Sequence, residues 1–154
     1  MRVTAQEEYG LRCLVQLARE PSGFCTIQDI ALRETLTTAY VAKLLRVLRK
    51  AGLVKSTRGQ RGGYQLSRAP DEIDLDTVLT ALGGHLYEDD FCERHPGDGR
   101  ACRHEADCSI RSVWRSLDFL IREALKKTRL SDLVCTERAS GTWARTNFKT
   151  TAVN

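Results

Sequence analysis

Residues 37–67 read TTAYVAKLLRVLRKAGLVKSTRGQRGGYQLS. Thr37 or Thr38 is a helix N-cap, because a threonine hydroxyl can accept from the unsatisfied N–H groups of a first turn. Val41, Leu44, Leu45 and Leu48 then recur at helical spacing and define one apolar face. Lys43, Arg46, Arg49 and Lys50 line much of the rest. Gly52 stands where a left-handed C-terminal cap would end the helix. Two strand-like runs follow, Leu53–Thr57 and Gly63–Ser67, joined by Arg58-Gly59-Gln60-Arg61-Gly62, a glycine-rich hairpin tip.

Toward the N-terminus, Thr4 followed by Glu7 makes a capping box, and Leu11, Leu14, Val15 and Ala18 continue it as a helix that Pro21-Ser22-Gly23 ends. Thr26 caps a second, short helix with Asp29 in its first turn and Ile27, Ile30 and Ala31 as its apolar face. It stops near Thr35, which leaves a tight turn before the basic helix. Helix, helix, helix, hairpin is the order of a winged helix-turn-helix, in which the third helix enters the major groove and the hairpin is the wing. Thr38, Tyr40 and Lys43 lie at the start of that helix, where base edges are met. Arg46 and Arg49 lie further along it, and Arg58 and Arg61 at the wing tip suit a phosphate or the minor groove. A row of lysines and arginines alone is commonly a solvated face; the element order and the arginine-bearing tip point it toward double-stranded DNA.

Toward the C-terminus, Asp74 caps a fourth helix carrying Leu75, Val78, Leu79 and Leu82, and Gly83-Gly84 ends it. Residues 85–108 have no period and are rich in charge, histidine and cysteine. From Ser109 a long helix places Ile110, Val113, Trp114, Leu117, Leu120, Ile121 and Leu125 on one stripe. About 20 residues make a rod roughly 30 Å long. That is more apolar surface than a small body can cover, so the stripe reads as a homodimer seam. Thr128–Val134 reads as one more short helical segment, and the polar tail from Thr136 to Asn154 as loosely ordered. The expected fold class is therefore mainly α: a winged helix-turn-helix domain with a two-stranded wing, plus a long C-terminal dimerisation helix.

The chain's 154 residues allow one domain with an appendage. With 42% hydrophobic and 29% charged residues the composition is globular. No apolar run of about 18 residues is present, so no membrane partner is expected. Met1–Glu8 lacks an apolar signal core, so a cytoplasmic location is expected. Residues 1–68 carry 12 Lys and Arg against 5 Asp and Glu, whereas residues 69–154 carry 12 against 15. A basic half joined to a mildly acidic half fits a polyanion-binding module with something attached. No nucleophile–base constellation and no phosphate-binding loop appears, so neither catalysis nor a small-molecule substrate is expected.

Six cysteines remain to be placed. Cys13, Cys25 and Cys135 are flanked by apolar residues and read as buried core thiols. Cys92, Cys102 and Cys108 form a C-x9-C-x5-C triplet in the loop before the long helix. Three thiolates on one loop can converge on a zinc ion or an iron–sulfur cluster, though this is not the paired C-x2-C spacing of a zinc ribbon. Cys108 lies near a helix N-terminus, where the dipole favours the ligating thiolate. A fourth ligand could come from His95 or His104 in the loop, or from Glu8 of the partner subunit; Glu7 suits the role less because the capping box occupies it.

The start Met1-Arg2-Val3-Thr4, the run Leu44–Val54, the wing Arg58–Tyr64, the cysteine triplet with its long helix, and Leu130-Ser131-Asp132-Leu133-Val134 together resemble the Rrf-type winged-helix iron–sulfur regulators, the IscR, NsrR and RirA family. The resemblance covers roughly residues 1–135. It implies a homodimeric regulator of transcription, a repressor by the family's commoner habit, bound to a palindromic operator. It also implies an iron–sulfur cluster, 2Fe-2S or 4Fe-4S, held by Cys92, Cys102 and Cys108 and sensing iron, redox or nitric oxide status. The chain departs from the pattern in two ways. Its first cysteine gap is longer than the usual five or so residues, and Arg111 stands where one branch places a ligating histidine. Another branch uses an acidic first-helix residue of the partner subunit, and Glu8 stands at that position. The resemblance thus divides the chain into a DNA-binding domain (1–83), a cluster-binding loop (84–108), a dimerisation region (109–135) and a flexible tail (136–154). A winged-helix regulator using zinc or a thiol switch is the alternative, separated by colour and metal content. A small iron–sulfur electron carrier is a further one, opposed by the basic N-terminal half.

Overall fold

Capping chemistry starts the helices where threonine and aspartate stand. In the computed structural model, which describes residues 3–57, 62–88, 90–95, 98, 102, 104 and 107–134, α1 (Ala5–Arg19) opens at Thr4. The Thr4 hydroxyl accepts from the Glu7 N–H at 3.2 Å, and the Glu7 carboxylate accepts from the Thr4 N–H at 2.7 Å. Thr26 and Asp29 repeat the box at α2 (Ile27–Glu34), with distances of 3.1 and 3.0 Å. Thr35 then turns left-handed, φ 55°, and its N–H closes the end of α2 on Ala31 and Leu32 carbonyls. Thr37, not Thr38, caps α3 (Thr38–Lys50), accepting from the Tyr40 N–H at 3.3 Å.

The amphipathic pattern of α3 is realised as read. Val41, Leu44, Leu45 and Leu48 are fully buried, while Lys43, Arg46, Arg49 and Lys50 are exposed. Gly52, φ 72°, reverses the chain after α3 and donates to the Arg49 carbonyl at 3.0 Å. β1 (Val54–Thr57) and β2 (Gly63–Leu66) pair antiparallel, Val54 opposite Leu66 and Thr57 opposite Gly63. The outer edge of β2 takes a third partner: Cys25 and Tyr64 exchange backbone bonds of 2.9 and 2.8 Å. Only glycine allows this approach at position 63, since a Cβ there would lie 2.8 Å from the Cys25 carbonyl oxygen. The wing is thereby tied to the chain entering α2. Its tip, with Arg58 and Arg61, lies outside the described residues.

A 3-10 turn (Pro70–Glu72) leads to α4 (Leu75–Leu82), capped by Asp74, which accepts from the Thr77 N–H at 2.8 Å. α4 crosses α1 at Gly10, where an added Cβ would meet Leu82 Cδ2 at 2.5 Å. Leu14, Ile30, Leu44, Leu45, Leu48, Leu53, Ile73, Val78 and Leu130 make one core under these elements.

The segment expected to be irregular contains one helical turn, α5 (Phe91–Arg94). The physical reason is aromatic: Tyr87, Phe91 and His95 recur every four residues and pack ring on ring, with centroids 5.4 and 4.3 Å apart. α6 (Ser109–Lys127) is the long helix, and its C-terminal end is fastened to the core. Leu75 N–H donates to the Thr128 carbonyl at 3.0 Å, Leu130 N–H to the Ile73 carbonyl at 2.8 Å, and Thr128 and Leu130 are fully buried. Arg122 pairs with Asp76 of α4 at 3.3 Å. α7 (Leu130–Val134) then packs on α1, where Arg19 Nε donates to the Val134 carbonyl at 3.2 Å. The N-terminal part of α6 has no such cover: Ile110, Val113, Trp114, Leu117, Phe119 and Leu120 are 40–65% exposed. Among the described residues no helix is long and apolar enough to cross a membrane. Cys135 and the tail 136–154 lie outside the described residues.

Candidate nucleic-acid interface and cysteine centre

α3 projects one cationic face. Among the described residues, none of Lys43, Arg46, Arg49 and Lys50 pairs with a carboxylate. Uncompensated charge on a helix braced by a buried leucine face is the arrangement that meets phosphates and base edges. Thr38 is exposed at the first turn. Tyr40 is half-buried, its ring edge-on to Tyr9 of α1 at 5.9 Å and 83°, so part of it serves packing. Arg49 Nη1 lies 3.4 Å from Ser56 Oγ on β1, which ties the end of α3 to the wing. The two wing arginines that would complete this surface, Arg58 and Arg61, are the ones outside the described residues.

The cysteines separate into two settings. Cys13 and Cys25 are buried, as their apolar neighbours led one to expect. Burial pushes the Cys13 thiol up to about 12, and raises that of Cys25 despite the Arg33 guanidinium 3.7 Å away. Cys92, Cys102 and Cys108 are free thiols with solvent access, Cys102 the most exposed. Cys108 is itself the N-cap of α6: its sulfur accepts from the Arg111 N–H at 3.3 Å. That contact fixes the sulfur at the start of α6. Cys92 sits on α5 with its sulfur 3.4 Å from the Tyr87 hydroxyl, and that hydrogen bond raises the phenol above its ordinary value.

Donor chemistry therefore fits a thiophilic metal or an iron–sulfur cluster. The described side chains are not gathered for a single ion, however: among the described residues no three His, Cys, Asp or Glu groups stand close enough to hold one. The candidate fourth ligands are placed as follows. His95 stacks on Phe91, and its Nδ1 lies 2.9 Å from the Phe91 carbonyl, which leaves Nε2 open. His104 is exposed. Glu8 pairs with Arg12 one turn on, 2.7 Å from Nη2, and Arg12 lies over the Tyr9 ring at 5.4 Å. Glu7 is held in the capping box.

Sequence reasoning missed two residues at this centre. Tyr87 is only 8% exposed, and its backbone N–H donates to Asp118 Oδ1 of α6 at 3.3 Å; Asp118 is the buried residue of that helix. An acidic residue on an otherwise apolar stripe was the available signal for Asp118. Nothing local marked Tyr87, because its partners are fixed only by the fold.

A family model described as Rrf2, iron-dependent transcriptional regulator, matches residues 3–136. An HTH-type transcriptional regulator of Synechocystis is 38% identical over 134 residues, 86% of this chain and 87% of that one. Among solved structures, IscR of T. potens is similar with a TM-score of 0.67 at 32% identity, covering 87% of this chain and 86% of that one. CymR, the global cysteine regulator of B. subtilis, has a TM-score of 0.68 at 28% identity, covering 87% and 96%. These relatives are regulators of transcription, not enzymes.

Proposed function

The chain belongs to the Rrf2 family of transcriptional regulators, and from that premise we propose that it is a homodimeric DNA-binding repressor whose hold on a palindromic operator is set by an iron–sulfur cluster. Cys92, Cys102 and Cys108 of one subunit would hold the cluster, with Glu8 of the partner subunit as fourth ligand. The observation that carries this reading is the position of Cys108: the thiol caps the same helix whose uncovered apolar face would join two subunits. A change at the thiols is then transmitted to the dimer geometry without a further relay. The iron-dependence in the family's description supports the choice of metal.

When bound, the cluster supplies a centre whose presence and charge report iron supply, oxidants and nitric oxide. The chain's own residues do the rest. Leu117, Leu120 and their neighbours on α6 pair the subunits. α3 of each subunit presents Thr38, Lys43 and Arg46 to the major groove, and the wing reaches phosphate with Arg58 and Arg61. Two recognition helices must stand about 34 Å apart to meet successive turns of DNA. Glu8 pairs with Arg12 through Oε1, so a metal bound at its carboxylate would weaken that ion pair and so bias α1, on which Tyr40 of α3 leans through Tyr9. Reduced thiols of this kind persist in the cytoplasm, where the protein would act.

A colourless winged-helix regulator switched by zinc or by thiol oxidation is the second reading, favoured by the similarity to a global cysteine regulator. Anaerobic purification with an absorbance spectrum and iron and sulfide counts separates the two. The proposal requires visible absorbance with about two or four iron and as many sulfide per subunit. A colourless protein holding stoichiometric zinc, and taking up no iron on reconstitution, would replace it with the second reading.

A further inference from the structure

The aromatic hydroxyl beside Cys92 belongs to Tyr87. Tyr87 is held from two directions, and its ring partner is itself braced. Its N–H is bound to the buried Asp118 carboxylate of α6 at 3.3 Å, its ring packs on Phe91 at 5.4 Å, and Phe91 is stacked on His95 at 4.3 Å. So constrained, and 8% exposed, the side chain delivers its hydroxyl to one place, 3.4 Å from Cys92 Sγ. A thiolate bound to a metal has no proton to give, so in that state the phenol must be the donor.

We propose that Tyr87 is a positioning residue of the cysteine centre: its hydroxyl donates to the Cys92 sulfur, sets the reduction potential of the bound cluster, and fixes Cys92 relative to α6 through Asp118. The inference rests on the iron–sulfur reading. Two physical consequences follow from the geometry. A hydrogen bond donated to a ligating sulfur draws negative charge away from the metal, which favours the reduced, more negative cluster and raises its potential. An anchored hydroxyl also restrains the sulfur itself, so the ligand is slower to leave. Of the three cysteines, Cys108 is fixed by its own place at the start of α6, and Cys92 is fixed to the middle of the same helix by the Asp118–Tyr87 link. Cys102, the exposed one, lacks both supports among the described residues.

The test uses the full chain, reconstituted anaerobically with iron and sulfide, as wild type, Tyr87→Phe and Asp118→Ala. Tyr87→Phe keeps the ring and removes the donor. It should take up the same iron and sulfide, show a lower reduction potential and altered iron–sulfur stretching bands by resonance Raman, and lose its cluster to a chelator about 10-fold faster. Asp118→Ala keeps the hydroxyl but frees its anchor, and should move the potential in the same direction by less. A wild-type potential, unchanged stretching bands and a lifetime within about twofold for Tyr87→Phe would overturn the assignment of Tyr87 while leaving the sensing function intact. A wild type that takes up no cluster at all would overturn both.

Discussion

Cys13 and Cys102 carry the same atom in opposite settings, and the difference decides what each can do. Cys13 is fully buried, with its thiol pushed up to about 12; it is a small apolar side chain in practice. Cys102 is open to solvent on the loop that feeds α6. Because the thiolate is the reactive form, brief treatment of the reduced native protein with iodoacetamide should label Cys102, Cys92 and Cys108 while Cys13 and Cys25 stay unmodified until denaturant is added. Early labelling of Cys13 in peptide mass spectra would contradict the packing described. At this scale the sequence was informative wherever chemistry is local. Apolar flanks marked Cys13 and Cys25, Thr4 announced its helix through Glu7 and Thr26 its own through Asp29, and Asp74 marked the start of α4. Tyr87 was silent because its meaning depends on Asp118, 31 positions away.

α6 shows what a periodic pattern can and cannot say about an element. Its stripe was legible, but the pattern could not tell which part lies on the chain's own core. The structure divides it after Leu120. Beyond that point Ile121 and Leu125 are half-buried beside α4, whereas Trp114, Leu117 and Leu120 remain uncovered. Phe119 is exposed too, and it falls outside the stripe read from spacing. Each large apolar side chain of this kind gains about 1.5–3 kcal/mol when buried. Leu120→Asp should therefore convert the proposed dimer to monomer in analytical ultracentrifugation with helix content intact by circular dichroism, since Leu120 makes no part of the chain's own core. A dimer of unchanged stability would show that the subunits meet elsewhere. α5 was missed because four residues are too few for a periodic signal; ring stacking, not hydrophobic period, makes that turn.

For the whole molecule the charge division of the sequence becomes a division of labour. The basic half contains α3 and the wing, and the other half contains the Cys92, Cys102 and Cys108 thiols and the helix that would join two subunits. Both are tethered to one core, where Leu75 bonds to Thr128, Leu130 to Ile73, and Asp74 bridges to Arg129. DNA affinity should fall steeply with salt, as counterions are released from each phosphate contacted. Arg46→Ala should weaken binding and, if Arg46 meets a phosphate, lower the salt slope by about 1 in a filter-binding or anisotropy series. An unchanged affinity and slope would remove the exposed face of α3 from the interface. The winged-helix order was legible because each element has its own cap, period and stop. The arrangement of the three cysteines was not, because loop spacing fixes which thiols are near in sequence and leaves their distances open.

The most direct measurement compares DNA affinity of the wild type, loaded with cluster and freed of it, with that of a Cys92→Ala/Cys102→Ala/Cys108→Ala variant at one salt concentration. Loading should change the wild-type affinity by about 10-fold or more and leave the variant, which should take up no cluster, unaffected. Equal affinity of loaded and cluster-free wild type, or a cluster retained by the variant, would contradict the claim that these three thiols control the hold on DNA.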